Sequence, residues 1–578
     1  MNLPHPTLRP LHHADEGSVP NHRWQQWGRT YAAVAAAYVL LTACTDAFFF
    51  GDTADYTVSI LTGQEFWDFG HLLWRPLGWL CYHLFGSFTR PIAGPYERPN
   101  ITLILLLLNW LAGLGSVLLL YNLITRVCAS RWVAYAVTLF FICSQAFLNF
   151  TQTGSSYIVA LFFLLLGFYL LVCSGQQAEH ALGLSVGAGI ALAGAVCFWL
   201  PYIFAIPAAL ATPLFFYSFS RTQWRPVTLA TISLILTTAT AYLIVIFLLR
   251  LHSLADIRTW MAASSHGITA AKGPLRMIFG FARSFINMGN DGVLFKRFVL
   301  HDPLNPVPLQ SLVRLSLWKL VLFYVFLGSL VLSLLHSARG KQLLKFFALN
   351  AGLVIIFAIA WQGGDMERYL ALYPTLFLVL GYSLDNRQAP NWFKGVALLF
   401  MAVATLTNLS VMAKPVLKQQ EKATEARIWP LQPLVRSINL VYVIHAQDEL
   451  FNFSRSYPFN PLNSASHIHI RALVESSTDT VAQWRGNFAV SVLAVWQRGG
   501  NIWISKRLLT PRPRPEWNWV EGNDKEVSWK DLYFFFSRLD KSEAVGGADG
   551  FVLVPASPHN QQLLRPLAHV KGLKAPYI

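Results

Sequence analysis

The feature that most constrains the fold is a series of about eleven apolar stretches, each close to the roughly 20 residues that a helix needs to cross a bilayer. They lie at residues 30–49, 101–121, 131–149, 156–173, 181–199, 201–217, 227–250, 312–336, 345–361, 369–385 and 392–412. Only 13% of the 578 residues are charged, whereas a soluble domain carries about 25%. The sequence therefore predicts a polytopic α-helical membrane protein.

The net charge of +16 raises the question of a nucleic-acid partner. The basic residues are scattered among the loops, and the sequence contains no recognisable nucleic-acid-binding signature. In a membrane protein, Lys and Arg are concentrated in cytoplasmic loops and contact anionic headgroups. We therefore expect membrane lipids as partners and no nucleic acid.

The alternation of basic and non-basic loops predicts the topology. A cytoplasmic N-terminal tail (1–28) precedes a transmembrane domain (29–412) with two long outer loops (50–100 and 251–311). The remainder (413–578) has charges of both signs and no run of spanning length, so we expect an extracytoplasmic domain. A bacterial inner membrane is the expected location.

The C-terminal third predicts a soluble α/β domain. Short apolar runs at 439–446, 488–496, 501–508 and 549–556 are separated by polar segments, and each is interpreted as a strand. The segment 71–86 is apolar but too short to span, which predicts a helix lying at the outer interface. Its aromatic residues Trp74, Trp79 and Tyr82 are expected to act as headgroup anchors.

The first outer loop holds the densest group of ionisable residues beside apolar sequence. Asp52 and Asp55 follow the first apolar stretch, and His71 and Arg75 come four residues apart, on one face of a helix. Further acidic residues are Asp46, Glu65 and Asp68. A partly desolvated carboxylate can accept a proton from a hydroxyl near neutral pH. Asp52 or Asp55 is thus the candidate catalytic base; the alternative is a pair of carboxylates that end a helix and meet solvent.

A second group precedes a late apolar stretch, in the sequence GGDMERYLALYP at 363–374. A planar guanidinium suits a phosphate group, so Arg368 is the candidate phosphate ligand, with Tyr369 beside it and Asp365 and Glu367 in support. Headgroup contact by an interfacial arginine is the alternative. Arg75 would likewise contact phosphate or keep Asp52 or Asp55 ionised, and a structural ion pair is its alternative. His71 is expected to be a hydrogen-bonding scaffold residue.

Basic residues in the second long loop have the same two interpretations. These residues are Lys272, Arg276 and Arg283, together with the pair His301-Asp302. They would either neutralise a carrier phosphate or contact anionic lipid.

The segment FWDFGHLLWRPLGWL (66–80), preceded by the outer-loop aspartates, resembles the first loop of GT-C glycosyltransferases. It is most similar to the branch with a YRPL-type motif, which includes transmembrane O-mannosyltransferases. The resemblance implies a GT-C-like membrane domain, a loop aspartate acting as catalytic base or metal ligand, and a polyprenyl-phosphate sugar donor. Many members of that superfamily pair an Asp with a Glu, whereas this chain has Asp52-Thr-Ala-Asp55, so which aspartate is the base stays open.

Together these features predict an inverting glycosyltransferase that moves a sugar from a polyprenyl-phosphate carrier to a hydroxyl on a glycan, lipid or protein outside the membrane. A metal is not required, because the departing phosphate is a good leaving group; a divalent cation is left open. The alternatives are a lipid-glycan flippase and a non-catalytic envelope assembly protein. A transporter is expected to carry charges near the bilayer midplane and repeated halves, neither of which the sequence shows.

Overall fold

The structure is a computed structural model. It describes residues 20–63, 65–93, 97–176, 180–217, 221–264, 274–289, 308–434, 439–443, 457, 459, 466–470, 473, 481–511, 529–547 and 550–569. The membrane domain consists of helices α1 (Pro20–Cys44), α2 (Thr53–Thr62), α3 (Trp74–Ala93), α4 (Glu97–Thr125), α5 (Arg131–Cys143), α6 (Gln145–Phe150), α7 (Tyr157–Gln176), α8 (Ala181–Phe198), α9 (Ile206–Phe216), α10 (Arg221–Leu248), α11 (Leu254–Ala263), α12 (Pro274–Phe285), α13 (Leu309–Leu334), α14 (Ala338–Ala360), α15 (Tyr373–Asp385) and α16 (Asn391–Met412). Short 3-10 helices lie at Phe69–His71, Leu200–Ala205 and Met366–Leu372.

In the described part of the chain, seven helices are long and apolar enough to cross a membrane. They are α4, α7, α8, α10, α13, α14 and α16, each of which coincides with a predicted span. The other four predicted spans contain shorter apolar helices, alone or joined to another short segment. The membrane-spanning character is confirmed, and the number of crossings stays a prediction.

Two of the helices end at breaks that lie near the candidate site. Trp199 ends α8 in an extended conformation (φ −153°, ψ 102°), and Trp361 ends α14 in nearly the same one (φ −142°, ψ 101°). A 3-10 helix follows each break, and the first contains Pro201, which lacks the N–H that a continuing helix requires. Both breaks place irregular backbone inside the helical body, where side chains from different spans converge.

The core of the membrane domain holds these breaks in place. Phe285 of α12 stacks on Tyr373 of α15, with ring centroids 4.8 Å apart, and on Phe323 of α13 at 5.5 Å. The buried Asn408 of α16 donates to the carbonyl oxygens of Cys143 and Phe285, each at 2.8 Å. A satisfied amide in this low-dielectric interior fixes α5, α12 and α16 relative to one another.

Helix α3 corresponds to the predicted interfacial segment. Leu80, Leu84, Phe88 and Ile92, spaced four residues apart, are all exposed and form one apolar stripe. The role assigned to Trp74 is wrong: its indole is fully buried, and its N–H donates to the Gly154 carbonyl at 2.9 Å. Trp74 begins the helix under the loop, where packing against neighbouring spans outweighs its preference for the interface.

After α16 the chain continues through α17 (Lys414–Ile428) into a domain with a five-stranded sheet. Its elements are β1 (Leu440–Val443), β2 (Ser466–His469), α18 (Val481–Gln497), β3 (Ile502–Ser505), α19 (Trp529–Ser537), β4 (Ser542–Val545), β5 (Phe551–Val554) and α20 (Pro558–Leu564), with 3-10 helices at Trp429–Leu434, Lys506–Leu509 and Pro566–His569. The strand order is β2-β1-β3-β5-β4, in which β2, β1 and β3 are parallel and β5 is antiparallel to β3 and β4.

The predicted strand at 488–496 is wrong, because these residues lie within α18. Phe488, Ala489, Val492 and Val495 are the buried residues of this run. Their spacing of one, three and three follows the helical period of 3.6 rather than the strand period of 2. The other three predicted strands are present as β1, β3 and β5, whereas β2 and β4 were not anticipated.

Candidate functional site

The two aspartates of the first loop have different surroundings. Asp52 lies immediately before α2 and is half-buried, and the Tyr157 hydroxyl donates to its Oδ2 at 3.2 Å. Asp55 lies one turn later and is exposed. The loop is fixed against the start of α7, because the Gly154 N–H donates to the Thr53 hydroxyl at 2.9 Å. Asp52 is therefore the more buried of the two aspartates, and which of them is the base stays a prediction.

Asp68, which the sequence did not single out as a site residue, is the centre of a buried ion-pair group. Its Oδ2 lies 2.9 Å from Arg75 Nη1 and 3.2 Å from His71 Nδ1. The Arg75 side chain is 1% exposed and also lies over the Tyr56 ring, 5.2 Å from its centroid. Glu65 is more distant, with its Oε2 3.9 Å from Arg75 Nη2. Arg75 thus takes the ion-pair role that was predicted as its alternative, with Asp68 as its nearest carboxylate.

The C-terminal end of α11 and the residue that follows it complete the shell around this group. The Ser264 hydroxyl donates to Asp68 Oδ1, and the Gly70 N–H donates to the same oxygen at 2.9 Å. The Trp260 indole N–H donates to the Trp67 carbonyl at 2.7 Å. Because a carboxylate with several donors is held in one orientation, Asp68 in turn fixes the rotamers of His71 and Arg75.

The second group is positioned by a close approach of backbones. A Cβ on Gly280 of α12 would lie 2.0 Å from the Gly363 carbonyl oxygen, so this approach requires glycine. Arg283 Nη1 donates to the Gly364 carbonyl at 3.0 Å. Helix α12 therefore sets the position of the turn that leads into the 3-10 helix Met366–Leu372.

Tyr369 is part of the same connection. Its hydroxyl lies 2.6 Å from the Gly363 carbonyl oxygen and 3.1 Å from that of Met277. The ring is fully buried. The structure thus places this phenol against backbone carbonyls, and its predicted role beside Arg368 in phosphate binding stays a prediction.

Arg368 lies between two aromatic rings. Its guanidinium carbon is 5.5 Å from the Trp199 ring centroid and 5.9 Å from that of Phe357. Its Nη2 is 3.7 Å from Asp365 Oδ2, and 14% of the side chain is exposed. Aromatic faces stabilise a guanidinium without consuming its N–H donors, which suits a cation that binds an anionic ligand.

Trp199 and Tyr157 connect the two groups. Their ring centroids are 4.8 Å apart, the Tyr157 hydroxyl contacts Asp52, and Trp199 contacts Arg368. The carboxylate of Asp52 and the guanidinium of Arg368, more than 300 residues apart in sequence, therefore belong to one site. Sequence reasoning missed both aromatic residues; the Trp199-Leu-Pro201 break was the only signal near either of them.

Charges from both groups act on Glu367. Burial, supported by the neighbouring Asp365, raises the pKa of Glu367 to about 8, while Arg368 opposes the shift and Asp52 adds to it. For Arg368, burial acts to lower the pKa, but the carboxylates of Glu367 and Asp365 outweigh it and the pKa is raised. The site therefore pairs a fixed cation with a carboxyl that holds its proton near neutral pH.

The second long loop carries the other residues that the sequence proposed as phosphate or lipid contacts. Arg276 is exposed, whereas Lys272, His301 and Asp302 lie outside the described residues. Within the described ranges no three His, Cys, Asp or Glu side chains are grouped as a metal site would need, so the metal question stays where the sequence left it.

Neither a family model nor a curated protein matches the sequence. The chain is similar in structure to ArnT from Cupriavidus metallidurans. The crystal structure of ArnT in the apo state gives a TM-score of 0.50 at 11% identity and covers 92% of this chain and 99% of ArnT. The crystal structure of ArnT bound to undecaprenyl phosphate gives a TM-score of 0.48 at 11% identity with the same coverage. ArnT is a GT-C glycosyltransferase, so the GT-C-like fold predicted from the first loop is confirmed, whereas the YRPL-type motif receives no support.

Proposed function

We propose that this protein is a membrane glycosyltransferase that moves a sugar from a polyprenyl-phosphate carrier to a hydroxyl group on a glycan, lipid or protein at the outer face of the membrane, with inversion. The observation that carries the proposal is the convergence of the Asp52 carboxylate and the Arg368 guanidinium through Tyr157 and Trp199. A carboxylate beside a cation is what glycosyl transfer from a phosphate diester needs, because one takes a proton and the other receives negative charge.

Asp52 is the proposed base. Its half-buried position and its hydrogen bond from Tyr157 keep the carboxylate oriented, whereas Asp55 is exposed. The base would take the proton of the acceptor hydroxyl as the oxygen attacks the anomeric carbon from the face opposite the phosphate. The bond to the phosphate oxygen breaks, and the carrier phosphate leaves with that electron pair.

Arg368 is the proposed ligand of the departing phosphate. The leaving group gains negative charge as the bond breaks, so a fixed guanidinium binds the transition state more tightly than the ground state. Arg75 is already paired with Asp68 and is 1% exposed, so we assign it to holding the loop. No cofactor is needed for this chemistry, because the phosphate is a good leaving group without a metal.

The donor class rests on the first-loop resemblance and on the GT-C fold. ArnT, whose apo structure has this fold, is also known bound to undecaprenyl phosphate, and we propose a carrier of the same chemical class here. The sugar and the acceptor are not specified by any contact of the described residues.

The test is sugar release from a panel of radiolabelled undecaprenyl-phosphate hexoses by the purified full-length protein. Cleavage by the wild type that is lost in Asp52→Asn and kept in Asp55→Asn supports the proposal. Movement of intact donor across vesicle membranes without cleavage would instead favour a flippase. Full activity in both variants would refute the assignment of the base.

A further inference from the structure

His71 is fixed in one orientation next to the proposed base. Its Nδ1 lies 3.2 Å from Asp68 Oδ2, the oxygen that also pairs with Arg75. A carboxylate oxygen accepts hydrogen bonds, so the imidazole donates from Nδ1, and in the matching neutral tautomer the lone pair is at Nε2. His71 is therefore an oriented hydrogen-bond acceptor, and its side chain is 12% exposed.

The Nε2 atom is buried and has no hydrogen-bond partner among the residues that the structure describes. The same holds for the hydroxyl of Tyr56, whose side chain is 1% exposed. The two rings face each other edge-on, with centroids 5.5 Å apart. Buried polar atoms in folded proteins normally have partners. Here two atoms without one belong to neighbouring rings beside the proposed base, where a bound group can supply the missing partner of both.

The two atoms have complementary hydrogen-bonding roles. Burial raises the pKa of the Tyr56 phenol well above its ordinary value, and the negative charge of Asp52 adds to the effect. Tyr56 thus keeps its proton and offers a donor, while His71 offers an acceptor. A substrate hydroxyl, which accepts one hydrogen bond and donates another, matches this pair.

We propose that Tyr56 and His71 form a hydroxyl-binding subsite, in which a substrate hydroxyl accepts from Tyr56 Oη and donates to His71 Nε2. The subsite rests on the proposed function and extends it. It adjoins the proposed base, because the His71 and Tyr157 ring centroids are 6.5 Å apart and Tyr157 contacts Asp52. The hydroxyl belongs either to the transferred sugar or to the acceptor.

The test uses Tyr56→Phe and His71→Phe, which remove the two polar groups and keep the rings. His71→Gln is the conservative variant, because its amide oxygen can accept a hydrogen bond. Tyr82→Phe and His83→Phe are matched controls, since both residues lie outside the site on α3 and His83 is exposed. The purified full-length protein is measured with radiolabelled undecaprenyl-phosphate hexoses, for donor Kd and for kcat of donor hydrolysis by water.

A sugar hydroxyl predicts that both Phe variants raise the donor Kd about 5- to 100-fold. A donor that lacks the bound hydroxyl should then bind the wild type more weakly by the same factor, and Tyr56→Phe should not weaken the binding of that donor further. An acceptor hydroxyl predicts an unchanged donor Kd and a similar fall in the kcat of hydrolysis, because the attacking water then takes the place of the acceptor hydroxyl in the subsite. In both cases His71→Gln recovers part of the loss and the α3 controls match the wild type.

Three results would overturn the subsite. The first is a Kd and a kcat of the Phe variants that stay within twofold of the wild-type values. The second is a fall in thermal stability alone, which is the signature of a buried structural water between the two side chains. If the wild type binds a donor but does not cleave it, the proposed function fails; a raised donor Kd in both Phe variants then still supports a subsite for a donor hydroxyl, and an unchanged Kd overturns the subsite. A wild type that binds no donor of the panel overturns both.

Discussion

Replacement of Asp52 by asparagine tests its role in proton transfer, because the shape of the side chain is kept. Asparagine has the same size, and its amide oxygen can still accept the hydrogen bond that Tyr157 donates at 3.2 Å. Because Asp52 is only half-buried, we expect the fold to tolerate the loss of its charge. The change therefore removes the ability to accept a proton and leaves the surrounding contacts of α2 in place.

The expected loss follows from that geometry. A positioned general base contributes roughly 10²- to 10⁴-fold, equivalent to about 3–5 kcal/mol of transition-state stabilisation. The donor binds through groups other than the base, so kcat of Asp52→Asn should fall by that factor while KM changes by less than about threefold. Asp55 is exposed and has no comparable position, so Asp55→Asn should retain at least about a third of the activity.

The assay is single-turnover cleavage of a radiolabelled undecaprenyl-phosphate hexose, which separates chemistry from product release. Thermal unfolding of each variant in the same detergent controls for folding. A larger kcat loss in Asp55→Asn than in Asp52→Asn would refute the reasoning from burial. Equal, near-complete activity in both would show that the acidic stretch supports the loop and does not react.

Three further changes test the arrangement around Arg368. Burial raises the pKa of Glu367 to about 8, whereas an unfolded glutamate titrates near ~4.3. Between these pH values the folded state holds one more proton than the unfolded state, so the stability of the wild type falls as pH rises. The Tm of Glu367→Gln minus that of the wild type should therefore grow from pH 5 to pH 8, and a constant difference would contradict this. Gly280→Ala should displace the turn and lower both Tm and activity, because the added Cβ would lie 2.0 Å from the Gly363 carbonyl oxygen. Gly352→Ala, in open space on α14, should not lower either, and equal effects of the two changes would refute the packing argument. Trp199→Leu should reduce kcat more than Trp199→Phe, because phenylalanine keeps an aromatic face for the guanidinium 5.5 Å away, and equal losses measured by donor cleavage would remove that role.

The prediction of the C-terminal strands shows where sequence patterns are ambiguous. The runs that became β1, β3 and β5 are short and rich in Val, Ile and Phe. The run at 488–496 is also short, apolar and rich in Val but belongs to a 17-residue helix. Short apolar runs have no clear period, so neighbouring residues and the packing partner decide between helix and strand.

The same limit applies to the candidate site. Asp52, Asp55, His71 and Arg75 were found because charges are conspicuous in apolar sequence. Tyr157 resembles any other aromatic residue at the start of a span, and nothing local marks it as a partner of a carboxylate 105 positions away.

The sequence by itself determined that this chain is a helical membrane protein, because the length of an apolar stretch and the composition of a loop are local properties that the bilayer selects. The GT-C-like fold was predicted only through the resemblance of the first loop. It also determined which residues were candidates for chemistry. The tertiary structure alone decided how they are arranged: Asp52 is more buried than Asp55, Arg75 forms an ion pair with Asp68, and the helix breaks after α8 and α14 bring Trp199 and Arg368 to the first loop. These outcomes depend on contacts between distant segments, whose electrostatic and packing energies exist only once the chain has folded.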